Sequence, residues 1–106
     1  MPASECLVFA MDRPALDASN YRDVEKELRE RSNSAAPLVI DWSGVGYVDF
    51  LGMEMVLDVL MERTAPVVFV ALSRDLAHLL LRMQLSLVIP CAEDAEAGRR
   101  LLGCAS

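Results

Sequence analysis

Apolar runs and longer mixed segments alternate along the chain. Short apolar runs typical of strands lie at residues 6–11, 37–42, 67–72 and 85–89, and turn residues bound most of them. A segment with helical periodicity follows each run, and a further short extended piece lies at residues 45–48. Strands that alternate with helices predict a mostly parallel sheet joined by right-handed crossovers.

Capping residues mark the starts of the predicted helices. We expect Ser19 to cap the first helix, Asp49 the second and Ser73 the third, because their side-chain oxygens can accept the first unpaired N–H groups. Acidic residues open the last helix, which agrees with the helix dipole, and Gly103 is expected to end it.

The predicted helix over residues 51–63 is unusually apolar. Glu54, Asp58 and Glu62 lie four residues apart and form one narrow polar stripe. At about 100° per residue, the side opposite this stripe should face the sheet. That side holds Met53, Val56, Val59 and Leu60.

Phe50 and Leu51 are predicted to lie at the exposed start of this helix. Two interpretations compete for the apolar residues outside its sheet-facing side. In one, a neighbouring helix covers both flanks of that side, which hold Leu51 and Met55 on one flank and Leu57 and Met61 on the other. In the other, exposed apolar groups form a contact surface for another protein, a use that suits the adaptable methionines. The turn position of Phe50 and Leu51 favours the second interpretation for them, and Gly52 would let the backbone bend or a partner approach closely.

Composition and charge narrow the function. The chain has 106 residues, of which 54% are hydrophobic, enough for one compact core. Its formal net charge is −6, which argues against nucleic-acid binding because phosphate contacts need a concentrated basic face. No apolar run approaches the length of a membrane span, and residues 1–5 lack the basic segment of a signal peptide. We therefore expect a cytoplasmic protein without membrane insertion.

Chemistry-bearing side chains are sparse. His78, the one histidine, is expected on a solvated helix face without a nucleophile beside it. Cys6, Cys91 and Cys104 lie far apart and show no metal-ligand spacing. We expect small buried or half-buried thiols. A redox pair is the alternative, and no feature of the sequence supports it. The sequence therefore predicts no enzymatic activity, no metal and no cofactor.

The string LVIDWSGVGYVDFLGM at residues 38–53 carries a family resemblance. It resembles the strand, the Asp-Leu-Ser-Gly-Val turn and the Asp-Ser-Ser-Gly motif of STAS domains, which include the bacterial anti-sigma factor antagonists. Leu16 and Asp17 and the segment 82–85 resemble further family features. The resemblance covers about residues 6–103. It implies an α/β, STAS-like fold in one domain over residues 1–106, with a mixed but mostly parallel sheet of four to five strands and about four helices.

The departures from the family pattern concern regulation and the sheet edge. In phosphorylated family members, the partner anti-sigma kinase phosphorylates the first serine of the motif, and this breaks the complex. Phe50 stands at that position and Leu51 at the next, so the resemblance implies that this switch is absent. The family's usual strand before residues 6–11 also lacks a full counterpart. The sheet edge should then be bare or covered by a second copy in a homodimer.

The resemblance implies a non-catalytic, protein-binding module of bacterial signal transduction and transcription regulation. Its partner would be an anti-sigma factor or a related ATPase-type serine kinase. The predicted contact residues are Asp49, Phe50, Leu51, Gly52, Met53 and Met55. The alternative is a ligand-sensing or scaffold subunit of a transporter, lipid-transport or sensory complex. Its lipid-like or nucleotide ligand would bind at the apolar start of the predicted helix, around Phe50 and Leu51. Ser43 reads first as a turn residue, and its phosphorylation is a further hypothesis.

Overall fold

A computed structural model describes residues 5–32 and 35–104, so most of the N-terminal segment discussed above lies outside the described residues. The elements are β1 (Leu7–Ala10), β2 (Ala15–Leu16), α1 (Tyr21–Ser32), β3 (Leu38–Asp41), β4 (Tyr47–Val48), α2 (Phe50–Met61), β5 (Val67–Val70), α3 (Arg74–Arg82), a 3-10 turn (Leu85–Leu87), β6 (Cys91–Ala92) and α4 (Ala95–Leu101). None of these helices combines the length and the apolar character needed to cross a bilayer.

The main sheet has four strands in the order β1-β3-β5-β6, and β2 pairs separately with β4. Every strand pairing in the described part of the chain is parallel. Parallel neighbours need crossover connections, which α1, α2 and α3 supply for the main sheet. The predicted α/β fold with a mostly parallel sheet and four helices is confirmed. β1 lies at one edge of the sheet, and pairing of a second copy there stays a prediction.

Both faces of the sheet are covered. Phe9, Ile40 and Phe69 point to the larger core, which α1, α2 and α3 complete. Val39 and Val68 point to the opposite face, which α4 covers. Burial on both faces explains why these strands read as continuous apolar runs rather than alternating ones.

The predicted strand over residues 85–89 is wrong. Its first residues form the 3-10 turn, and β6 takes the fourth place in the sheet. Pairing with β5 starts only at Pro90, whose carbonyl accepts the N–H of Phe69 at 3.0 Å. Core burial accounts for only part of the apolar run, because Leu85 and Ile89 pack against the core whereas Leu87 is 83% and Val88 72% exposed.

The cap predicted at Ser19 is also wrong. The Ser19 hydroxyl donates to the Asp17 carboxylate at 2.5 Å and lowers the pKa of Asp17. The first helical bond runs instead from the N–H of Val24 to the carbonyl of Asn20. The other predicted caps are confirmed, at Asp49, Ser73 and the left-handed Gly103.

A disulfide joins Cys6 to Cys104, whose Cα atoms lie 5.8 Å apart. It connects the residue before β1 to the segment after α4 across 98 positions of sequence. The expectation of three separate thiols is therefore wrong for this pair. Cys91 is a thiol, but its residue is exposed rather than buried. Partial desolvation still raises the pKa of Cys91, whose Sγ lies 3.5 Å from the Ile89 carbonyl oxygen.

Candidate docking surface

Asp49 holds the turn before α2 with both carboxylate oxygens. Oδ1 accepts the N–H of Gly52 at 2.8 Å and caps the helix. Oδ2 accepts the N–H of Ala18 at 3.1 Å, in the loop after β2. The N–H of Asp49 itself donates to the carbonyl of Leu16 at 3.0 Å. These bonds fix both the first turn of α2 and its position beside β2, so Asp49 acts on the shape of the turn.

Gly52 lies directly against Leu16. A Cβ added to Gly52 would stand 2.7 Å from Leu16 Cγ and 2.8 Å from the Leu16 carbonyl oxygen. Both residues are buried. Glycine therefore permits a close approach between two segments of this chain, whereas a contact of Gly52 with a partner stays a prediction.

Met53 and Met55 point into the protein. Both are buried, Met53 completely, because α2 packs on the sheet side and also against α1. An ion pair between Arg29 of α1 and Glu62 ties the two helices together beyond the end of α2. The interpretation with a covering helix thus holds for Met55. Neither methionine can present its side chain to a partner while this packing lasts.

Phe50 and Leu51 are exposed, Phe50 at 67%. Tyr47 is also exposed and lies three residues before Phe50, which places their Cα atoms within about 11 Å. We define the docking surface as Tyr47, Phe50 and Leu51. The sequence analysis treated Tyr47 only as a strand residue. Strand alternation was the available signal, because burial of Val48 turns the side chain before it outward.

A cleft adjoins the docking surface between β4 and α3. It has a volume of about 370 Å³. Val48 and Leu76 are buried in its floor, whereas Asp75, His78 and Arg82 are exposed at its mouth. The solvated helix face predicted for His78 is confirmed. The cleft therefore combines an apolar floor with polar groups of both charge signs.

Ser43 lies in the turn after β3. Its N–H donates to Asp41 Oδ1 at 2.8 Å, and the next residue, Gly44, has a φ of 84°. A positive φ of this kind favours glycine, which accounts for the Ser-Gly sequence of the turn. Ser43 is exposed and its turn role is confirmed, whereas its phosphorylation stays a prediction. Within residues 5–32 and 35–104, no three side chains of metal-binding type form a group that could hold an ion.

Comparison with known proteins places this architecture among the STAS domains. The family model described as "Mlab, STAS domain" matches residues 13–90, which is most of the chain and includes the docking surface. The protein therefore belongs to the STAS domain family.

A solved structure supports the same fold. A crystal structure from Thermotoga maritima, described as a "putative anti-sigma factor antagonist", superposes with a TM-score of 0.80. The similarity covers 96% of this chain and 91% of that one at 10% sequence identity, so it concerns the fold alone. No curated protein matches the sequence significantly.

Proposed function

We propose that this STAS domain is a non-catalytic regulatory module that binds another protein through its docking surface. The observation that carries the proposal is the outward position of Phe50 and Leu51 on a turn that Asp49 holds with both carboxylate oxygens. Exposed apolar groups that cluster on a rigid turn are typical of contact sites. Aromatic anchors often dominate binding energy, and a fixed backbone lowers the entropy cost of binding.

The proposed partner is an anti-sigma factor or a related ATPase-type serine kinase in the bacterial cytoplasm. Support comes from the resemblance of the turn to the Asp-Ser-Ser-Gly motif and from the fold shared with the Thermotoga protein. Phe50 has no hydroxyl group, so phosphate cannot be added at the motif position to release the partner. Binding is then constitutive or is regulated at another site.

Substitution of Phe50 by glutamate tests this proposal. Phe50→Glu should weaken partner binding by about 2 kcal/mol or more, which is roughly 30-fold, because it removes an apolar anchor and adds a charge to desolvate. Leu101→Glu is the matched control, since Leu101 is 56% exposed and lies on α4, across the sheet. Partners are purified from the native host, identified by mass and titrated with each variant. Wild-type affinity of Phe50→Glu for the same partner would exclude this site.

A second candidate is ligand sensing within a transporter, lipid-transport or sensory complex. The observation that favours it is the cleft between β4 and α3, whose volume of about 370 Å³ suits a small ligand. Native mass spectrometry of freshly purified protein tests it. A co-purified mass that Leu76→Trp removes from the cleft supports this candidate, whereas a consistently unliganded spectrum counts against it.

A further inference from the structure

A second apolar surface lies at the far end of α2. Met61 is 84% exposed, and it lines a groove together with Val88, the residue after the 3-10 turn, which is 72% exposed. The groove has a volume of about 320 Å³. We call it the distal groove; apolar side chains line it, among them Leu57, Leu60, Met61, Leu85, Val88 and Ile89.

The distal groove is separate from the docking surface. Phe50 is the first residue of α2 and Met61 the last. At 1.5 Å per residue, about 16 Å of helix separates them. One small contact at Phe50 therefore does not cover the groove, and substitutions can address the two surfaces independently.

One rim of the distal groove is acidic. At about 100° per residue, Glu54 and Asp58 lie within about 60° of Met61 on the surface of α2. Both carboxylates are exposed, and neither forms an ion pair with any residue of the described ranges. The formal net charge of the chain is also negative, at −6, so the overall charge does not offset this acidic rim.

We propose that the distal groove binds an amphipathic helix of a protein partner whose apolar row is bordered by lysine or arginine. Apolar side chains spaced by one helical turn can enter a groove of this kind, as in other helix-in-groove complexes. Basic residues beside that row would pair with Glu54 and Asp58, which guides encounter and orientation.

The acidic rim opposes two other occupants. In a symmetric dimer, a second copy would bring its own Glu54 and Asp58 to the same interface, where like charges repel. An anionic bilayer would meet the same carboxylates. Charge complementarity therefore favours a basic protein helix over either alternative.

Two synthetic peptides test the proposal against the 106-residue chain. Both are amphipathic helices with the same leucine row, one bordered by lysine and the other by glutamate. Methyl NMR follows the titration through Met61, Val88 and Ile89, with Leu101 as an internal reference. The lysine peptide should shift the three groove methyls and bind at least about tenfold more tightly than the glutamate peptide.

Variants at exposed positions separate the contributions without disturbing the core. Met61→Ser combined with Val88→Ser should weaken the lysine peptide at least about tenfold, whereas Leu101→Ser and Phe50→Ser should not. Glu54→Gln combined with Asp58→Asn should weaken it and flatten its dependence on salt.

Several results would overturn the proposal. These are equal affinity for the two peptides, shifts confined to other methyls, or no binding of the lysine peptide. Analytical ultracentrifugation that shows a wild-type dimer lost on Met61→Ser would assign the groove to a second copy. Co-sedimentation with phosphatidylglycerol vesicles that the same variant abolishes would assign it to a lipid surface.

Discussion

Substitution of Gly52 by alanine has two opposing effects on stability at the start of α2. Alanine favours the helix by about 1 kcal/mol over glycine. The added Cβ, however, would stand 2.7 Å from Leu16 Cγ and 2.8 Å from the Leu16 carbonyl oxygen. Leu16 is fully buried, so its side chain has no solvent space to enter, and the carbonyl oxygen belongs to the backbone. Relief requires α2 to move away from β2.

That movement would strain the bonds that hold the turn. The Asp49 N–H bonds the Leu16 carbonyl, and the Asp49 carboxylate bonds the N–H of Ala18. Overpacking of this kind costs about 1–3 kcal/mol, which exceeds the helix-propensity gain for most of that range. A net cost of about 0–2 kcal/mol remains, so we expect Gly52→Ala to lower the free energy of unfolding by about 1 kcal/mol.

Urea titration measures this loss through the fluorescence of Trp42, the single tryptophan, which is fully buried. Gly46→Ala is the matched control, because its nearest contact to an added Cβ is the Pro14 carbonyl oxygen at 3.9 Å. The control should stay within about 0.5 kcal/mol of wild type. If Gly52→Ala were as stable as Gly46→Ala, the contact with Leu16 would not be the reason for glycine at this position.

Further predictions concern the cap and the cysteines. Asp49→Ala removes the acceptors for the N–H groups of Gly52 and Ala18 and should cost about 1–2 kcal/mol in the same titration. Asp49→Asn keeps one acceptor oxygen and should cost less. Equal losses for the two variants would show that the bond retained by asparagine does not stabilise the turn. Cys104→Ser opens a disulfide that spans 98 positions and should cost about 2–4 kcal/mol, while Cys91→Ser should cost little. Without reductant, a thiol reagent should label the folded protein only at Cys91. The raised pKa of Cys91 leaves less thiolate at neutral pH, so labelling should be slower than for a small-molecule thiol and should accelerate as the pH rises. Labelling as fast as that of the small-molecule thiol would refute this.

Local signals predicted much of the fold and part of the docking surface. The caps at Asp49 and Ser73 depend on neighbouring residues of the chain, and both were predictable. The exposure of Phe50 follows from its place on a helix start. The burial of Met55 was not predictable in this way, because it depends on which helix packs beside α2.

Long-range arrangement accounts for the remaining differences. The apolar run at residues 85–89 has the composition of a strand. Hydropathy alone, however, does not indicate whether other parts of the chain pack over these residues. The bond between Cys6 and Cys104 depends on a topology that returns α4 to the start of β1. Such a disulfide is uncommon in reducing compartments, so the state of these cysteines in purified protein also bears on the predicted cytoplasmic location.

The internal contacts of Asp49 and Gly52 have an evolutionary consequence. Those two residues maintain the turn, while the side chains at positions 50 and 51 are exposed. Phe50→Ser should accordingly fold with near wild-type stability in the urea titration, and a large loss would show that the phenyl ring supports the fold. If stability is retained, a lineage can exchange a phosphorylatable residue for an aromatic one at this position by a single substitution. The domain could then lose or gain control by a kinase while the turn that presents position 50 stays unchanged.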